Sequence, residues 1–342
     1  MKKYNVIIDC DPGVDDTMAI VLSLDDEELD IKLMTSVAGN RSVDVCTRNI
    51  LHILDKFNAN IPVAKGAEKA LCRISKDAKD IHGNMGMGGY RPQKPKRRII
   101  RKNAVEAMYE VIKKSELPVY LLSFGPHTNS AQLIIKHPDV KGKIAGIIGE
   151  GCCPYGVDGR KHISFNVSTD PEAFKVVLES GIPLTMVPSH MGRELVHLTE
   201  DETEFVRDMN DTGAFFYEMF SEYWEKGFPD KRIAINDSCI CLYLLYPELF
   251  DVVNTNITVD LDEIPGRTFM DFDPQGNSSS GVGLDYETRI TSIYDVLNGT
   301  KDINESIQTI VTTTELTNIS NEILANSHIY YVENGIVEEN KR

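Results

Sequence analysis

Positive charge is scarce in this chain: 36 Lys and Arg stand against 52 Asp and Glu, for a net charge of −16. Nucleic-acid binding needs a basic face that displaces counterions from the phosphate backbone, so that class of partner is excluded. Long apolar runs are missing too. The opening Met1-Lys2-Lys3-Tyr4 leads into a run too short for a signal-peptide core or a membrane span, so no membrane partner is expected. The seven cysteines are scattered apart from Cys152-Cys153, with neither zinc spacing nor a disulfide framework, and a reducing cytoplasm is predicted. No linker or repeat divides residues 1–342, which are expected to form one domain. A Gly/Ser loop is predicted over Gln275–Gly283, and residues after about 275 match no placed pattern. The one basic run, Lys94 to Lys102, has six Lys or Arg in nine residues and is expected to be a solvated loop.

What is present is alternation. Strands are predicted at Tyr4–Asp9, Ile31–Val37, Val119–Ser123, Ile144–Ile148 and Leu184–Val187. Helices are predicted between them at Asp15–Leu24, Val43–Phe57, Ala104–Lys114, Thr128–Lys136 and Pro171–Glu179. Such a pattern implies an α/β fold with a mostly parallel sheet flanked by helices, and functional residues at the carboxyl ends of the strands. Asp11, Asn40, Thr128 and Gly149 are each expected just past such an end. Thr203–Lys226 reads as largely helical, a lid element whose Phe215, Phe216, Phe220, Tyr223 and Trp224 suit packing better than base stacking.

The most informative segment is Val6-Ile7-Ile8-Asp9-Cys10-Asp11-Pro12-Gly13-Val14-Asp15-Asp16, with four carboxylates in eight residues and no Lys or Arg among them. Repelling anions need a cation, and carboxylate oxygens suit Ca²⁺ or Mg²⁺ better than zinc. Pro12 fixes φ and Gly13 admits φ > 0, so the turn is expected to fold Asp11 and Asp16 onto one point. The plainer alternative is an acidic turn in which Asp15 or Asp16 caps a helix.

Asp-x-Asp-Pro-Gly-x-Asp-Asp after a first strand resembles the nucleoside hydrolase family of the inosine–uridine-preferring type. Further segments follow in that family's order. Thr35-Ser36-Val37-Ala38-Gly39-Asn40 ends the second strand, and Ile81-His82-Gly83-Asn84-Met85-Gly86-Met87-Gly88 is similar to its glycine-rich flap. Ser123-Phe124-Gly125-Pro126-His127-Thr128-Asn129 and Phe165-Asn166-Val167-Ser168-Thr169-Asp170-Pro171-Glu172-Ala173 resemble its later turns. The resemblance spans roughly residues 4–272. It implies a calcium-dependent N-ribosyl hydrolase that releases base and ribose from a small-molecule nucleoside or nucleotide, and a homo-oligomer, dimer or tetramer.

Breaking an N-glycosidic bond through an oxocarbenium-like transition state requires an activated water, a hold on the sugar hydroxyls and help for the leaving base. Asp11 is the candidate general base. The resemblance implies Asp11, Asp16, the Thr128 carbonyl and Asp237 as calcium ligands, with Asp15, Asn40 and Asn166 on the ribose 2′- and 3′-hydroxyls. For Asp237 the plainer alternative is again a helix N-cap.

Three positions depart from the pattern. Asn236-Asp237 stands where the family has His-Asp, and an amide cannot protonate a leaving base. Ser164-Phe165-Asn166 stands where it has Glu-Phe-Asn, and Asp158 replaces an asparagine; both lost residues belong to the 5′-hydroxyl end. Arg160, Lys161 and His162 near Asp158 leave a 5′-phosphate open as runner-up to a plain nucleoside. His82 or His162 is the candidate replacement acid. Two other classes stay open. Asp9-Cys10-Asp11 is similar to the start of haloacid-dehalogenase phosphatases, though Pro12-Gly13 does not fit them. A catalytically silent, calcium-stabilised binding protein is the other.

Overall fold

The computed structural model describes residues 3–74, 77–153, 163–189, 191–192, 196–226, 232–250 and 252–271, with short strands at 281–283, 330–333 and 336–339. The first half alternates as predicted: β1 (Tyr4–Cys10), α1 (Val14–Asp25), β2 (Leu29–Ser36), α2 (Val43–Lys56), β3 (Val63–Lys65), α3 (Lys79–His82), α4 (Ala104–Lys114), β4 (Val119–Ser123), α5 (Thr128–Lys136), β5 (Ile144–Glu150), α6 (Phe165–Thr169), α7 (Pro171–Leu178) and β6 (Leu184–Val187). Strand β3 was not anticipated, since three residues are too few to show a period. Gly149, expected past the end of its strand, lies inside β5.

The six strands pair in parallel in the order β3-β2-β1-β4-β5-β6. The chain therefore winds outward from β1 on one side and from β4 on the other. The crevice between their carboxyl ends is the topological switch point, where a doubly wound sheet binds ligands. Both faces are covered, so the strands are apolar throughout and neighbouring residues serve opposite cores. Val6, Ile8 and Cys10 join Leu122 and Ile148 on one face, while Ile7 joins Leu33, Leu121 and Ile147 on the other.

The region predicted as one helix from Thr203 is two, α8 (Glu200–Met209) and α9 (Asp211–Lys226), broken at Asn210. Phe215, Phe216 and Phe220 are buried among core residues, which supports packing over base stacking; the side chains of Tyr223 and Trp224 lie outside the description. In the basic run, Arg97 bonds Asp55 at 2.8 Å and Lys102 pairs with Glu110, so its cations serve the surface. An antiparallel pair, β7 (His197–Leu198) and β8 (Ile233–Ala234), precedes α10 (Asn236–Leu245), after which come β9 (Val253–Val259), β10 (Thr268–Asp271) and β11 (Gly281–Gly283). Strand β11 corrects the loop expectation for Gly281–Gly283, whose three residues pair with Val253–Thr255, while 275–280 lie outside the described residues. Two more strands, Tyr330–Glu333 and Ile336–Glu339, pair with each other.

Candidate active site

The site begins where β1 ends. Asp9 still belongs to the sheet: its Oδ1 accepts from the Thr35 hydroxyl at 2.6 Å and the Asn129 amide at 2.8 Å, tying β1 to β2 and α5. Burial pushes its carboxyl up to about 6. Asp11, two residues on, is fully buried in the crevice. The Asn40 backbone N–H donates to its Oδ2 at 2.6 Å, while its Oδ1 is buried with no partner among the described residues. Asp11 is walled by glycines. A Cβ on Gly39 would stand 2.0 Å from Oδ2, and one on Gly125 would stand 2.5 Å from Oδ1. Those contacts explain glycine in both turns.

The Pro12-Gly13 turn works differently from the expectation of a positive φ. Gly13 has φ −96°, open to any residue. Space is what demands glycine, since an added Cβ would lie 2.6 Å from His82 Nδ1 and 2.8 Å from Asn40 Nδ2. Asp16 accepts from the Gly13 N–H at 2.9 Å, the Asp11 N–H at 3.3 Å and the Asn40 side chain at 2.9 Å. The capping alternative is therefore partly realised by Asp16, in the first turn of α1. For Asp237 it fails: Ile235 is the N-cap of α10, and Asp237 is buried in the first turn with its ligand atoms turned elsewhere.

Those atoms turn toward the acidic cluster. Asp15, Asp16 and Asp237 each offer a carboxylate oxygen within 4.8 Å of the others. Asp11 stands beside this trio rather than within it. Burial is the main cause that pushes Asp11 and Asp237 well above the usual carboxylate range and Asp16 up to about 7; neighbouring carboxylates add to it in each case. Asp15 Oδ1 is a second buried oxygen without a partner. Buried, mutually repelling carboxylates with orphaned oxygens are the donor set a hard divalent cation requires, and they fit one here.

Thr128 opens α5 at the carboxyl end of β4. Its hydroxyl donates to Asp170 Oδ2 at 2.7 Å, and Asp170 also accepts from Leu71 N–H at 2.8 Å and caps α7 through Ala173. That network fixes the backbone from which the Thr128 carbonyl was predicted to act. His82 is buried, and burial lowers its imidazole from its ordinary value. Its Nδ1 accepts from Val14 N–H at 3.2 Å, so its proton belongs on Nε2. Asn236 commits its amide to backbone: Oδ1 accepts from Gly192 N–H at 2.6 Å and Nδ2 donates to the Ser189 carbonyl at 3.3 Å. Asp158, Arg160, Lys161 and His162 lie outside the described residues.

One charged group went unnoticed in the sequence. Glu150, the last residue of β5, is buried, and burial first of all pushes its carboxyl up to about 7. Its Oε2 accepts from Asn166 Nδ2 at 3.0 Å and from the Ser164 hydroxyl at 3.5 Å, and its Oε1 accepts from the Ser189 hydroxyl. Asn166 Nδ2 also reaches the Phe124 carbonyl at 2.7 Å. A carboxylate ending an apolar parallel strand, as Asp11 nearly does, was the available signal.

A doubly wound sheet with an acidic, amide-lined crevice at its switch point is the arrangement of a small-molecule site able to hold a divalent cation. The family model described as inosine-uridine preferring nucleoside hydrolase matches residues 6–296. The chain belongs to that family, whose members are N-glycosidases. It is 34% identical over 276 residues to the non-specific ribonucleoside hydrolase RihC of Shigella flexneri, covering 78% of this chain and 88% of the relative. The purine-preferring ribonucleoside hydrolase of Gardnerella vaginalis superposes with a TM-score of 0.76 at 26% identity, over 86% of this chain and 96% of that one. A plant nucleoside hydrolase, at 24% identity, shares the fold with a TM-score of 0.74 over 82% of this chain and 95% of its own. Membership sets aside the haloacid-dehalogenase alternative.

Proposed function

We propose that the chain is a calcium-dependent ribonucleoside hydrolase that splits the N-glycosidic bond of an unphosphorylated nucleoside into free base and ribose. The observation that carries this is the convergence of Asp15, Asp16 and Asp237 beside Asp11, Asn40 and Asn166, at a family-typical switch point. Asp11, Asp16, Asp237 and the Thr128 carbonyl would hold the cation. When bound, it lowers the pKa of a water and anchors the sugar diol. The protein does the rest. Asp11, with Oδ1 unpartnered, takes the proton of the attacking water. Asp15 accepts from a ribose hydroxyl, and Asn40 and Asn166 hold the sugar in line. Asn236 cannot protonate the leaving base. His82 Nε2–H, on a neutral imidazole, can give the leaving base a hydrogen bond but not a proton, which favours bases that leave without protonation.

The same resemblance supports a homo-oligomer, a dimer or tetramer, and the scattered cysteines support a reducing cytoplasm; among the described residues no helix is long and apolar enough to cross a membrane. The test is a panel of nucleosides assayed for base and ribose release, with calcium and after chelation. Calcium-dependent release supports the proposal. Binding without turnover, even of p-nitrophenyl riboside, would establish a silent binding protein instead.

A further inference from the structure

Glu150 has a role that the motif residues do not account for. It stands at the carboxyl end of β5, beside the β1–β4 crevice, and its carboxylate is enclosed by neutral donors: the hydroxyls of Ser164 and Ser189 and the amide of Asn166. Asn166 Nδ2 bridges it, at 3.0 Å, to the Phe124 carbonyl just past β4, at 2.7 Å, so it borders that crevice. A buried carboxylate costs free energy, and a protein retains one where it has an acceptor's work to do. Its neighbour Ser164 occupies the position at which the family pattern carries a glutamate, and the Ser164 hydroxyl points at Glu150. A carboxylate therefore still stands beside this position, at the tip of β5.

We propose that Glu150 is a specificity-determining residue that accepts a hydrogen bond from the 5′-hydroxyl of the sugar and, in its ionised form, disfavours a 5′-phosphate. This rests on the ribonucleoside hydrolase function above and sharpens it to nucleosides over nucleotides. A hydroxyl donates to a carboxylate, whereas a phosphate presents only like charge to it. Serine at 164 leaves room for the relocated group and hydrogen-bonds it in place.

The experiment compares kcat/KM for a nucleoside, its 5′-deoxy analogue and its 5′-monophosphate in the wild type, Glu150→Gln and the exchange variant Glu150→Ser/Ser164→Glu. The wild type should prefer the nucleoside over the 5′-deoxy analogue by roughly 10- to 100-fold, the scale of one hydrogen bond to a charged group. Glu150→Gln should erase most of that ratio by lowering only the nucleoside's kcat/KM, and should narrow the gap to the 5′-monophosphate. The exchange variant should restore the preference for the 5′-hydroxyl. Equal losses on the nucleoside and its 5′-deoxy analogue would mean a merely structural carboxylate and overturn the proposal, as would a wild type that prefers the monophosphate. A wild type that turns over none of the three refutes the hydrolase function itself, a result distinct from an active enzyme whose 5′ discrimination ignores Glu150.

Discussion

Asn40 holds Asp11 by one oxygen only: its backbone N–H reaches Oδ2 at 2.6 Å, and Oδ1 is left buried without a protein partner. A carboxyl so held is oriented with one oxygen left open, the geometry a general base needs. Asp11→Asn keeps the shape and the contact with Asn40 while removing the basic oxygen. Turnover should fall by roughly 10²-fold or more, the usual scale for losing a general base. Thermal stability should hold or rise, because one buried charge is gone. Wild-type kcat in the variant would reassign the base.

Calcium should raise the melting temperature, and chelation should reverse the rise, since binding to the folded state alone stabilises it. Asp237 is the distant member of the trio with Asp15 and Asp16. Asp237→Asn should weaken calcium binding roughly 10-fold or more, the equivalent of one charge-assisted contact. Isothermal titration measures this directly. Unaltered affinity in the variant would remove Asp237 from the ligand set.

Gly125 should tolerate no side chain. A Cβ there meets Asp11 Oδ1 at 2.5 Å and Val37 Cγ1 at 2.8 Å. Gly125→Ala should cost about 1–3 kcal/mol through overpacking, measured by denaturant unfolding. Activity should fall further, by roughly 10²-fold, because the displaced group is the one whose position matters most. A variant with full activity would mean that Asp11 has freedom the packing does not suggest.

How much of this was visible in the sequence follows from the range of each interaction. Period-2 and period-3.6 patterns are local, so β4, α4, α5 and β6 were legible to the residue, while β3 was too short to show a pattern. Asp11, Asp15, Asp16 and Asn40 were legible because one turn and one neighbouring strand bring them together. Pairing across the fold was not legible. That Asp237 belongs with Asp16 was reached only through the family resemblance, and that Glu150 meets Ser164, Asn166 and Ser189 was missed altogether, because both depend on how distant elements dock. Asn236 shows the converse: a residue beside a site residue in sequence can spend its side chain on backbone.

The protonation of the cluster makes the last prediction. Asp16 is pushed up to about 7, and Asp11 and Asp237 are also raised, burial being the first cause for each. A carboxyl with a folded pKa above its unfolded value of about 3.9 binds more protons when folded. Its contribution is present in full below the unfolded pKa and is lost as pH rises toward the folded one. Calcium-stripped protein should therefore lose stability steadily from about pH 5 to 8, by a few kcal/mol in all. Calcium removes the repulsion and must displace the protons, so its affinity should climb over the same interval. Melting curves at pH 5, 6, 7 and 8, with calcium and with chelator, should diverge as pH rises, and curves that stay parallel would show that these carboxylates do not share a cation.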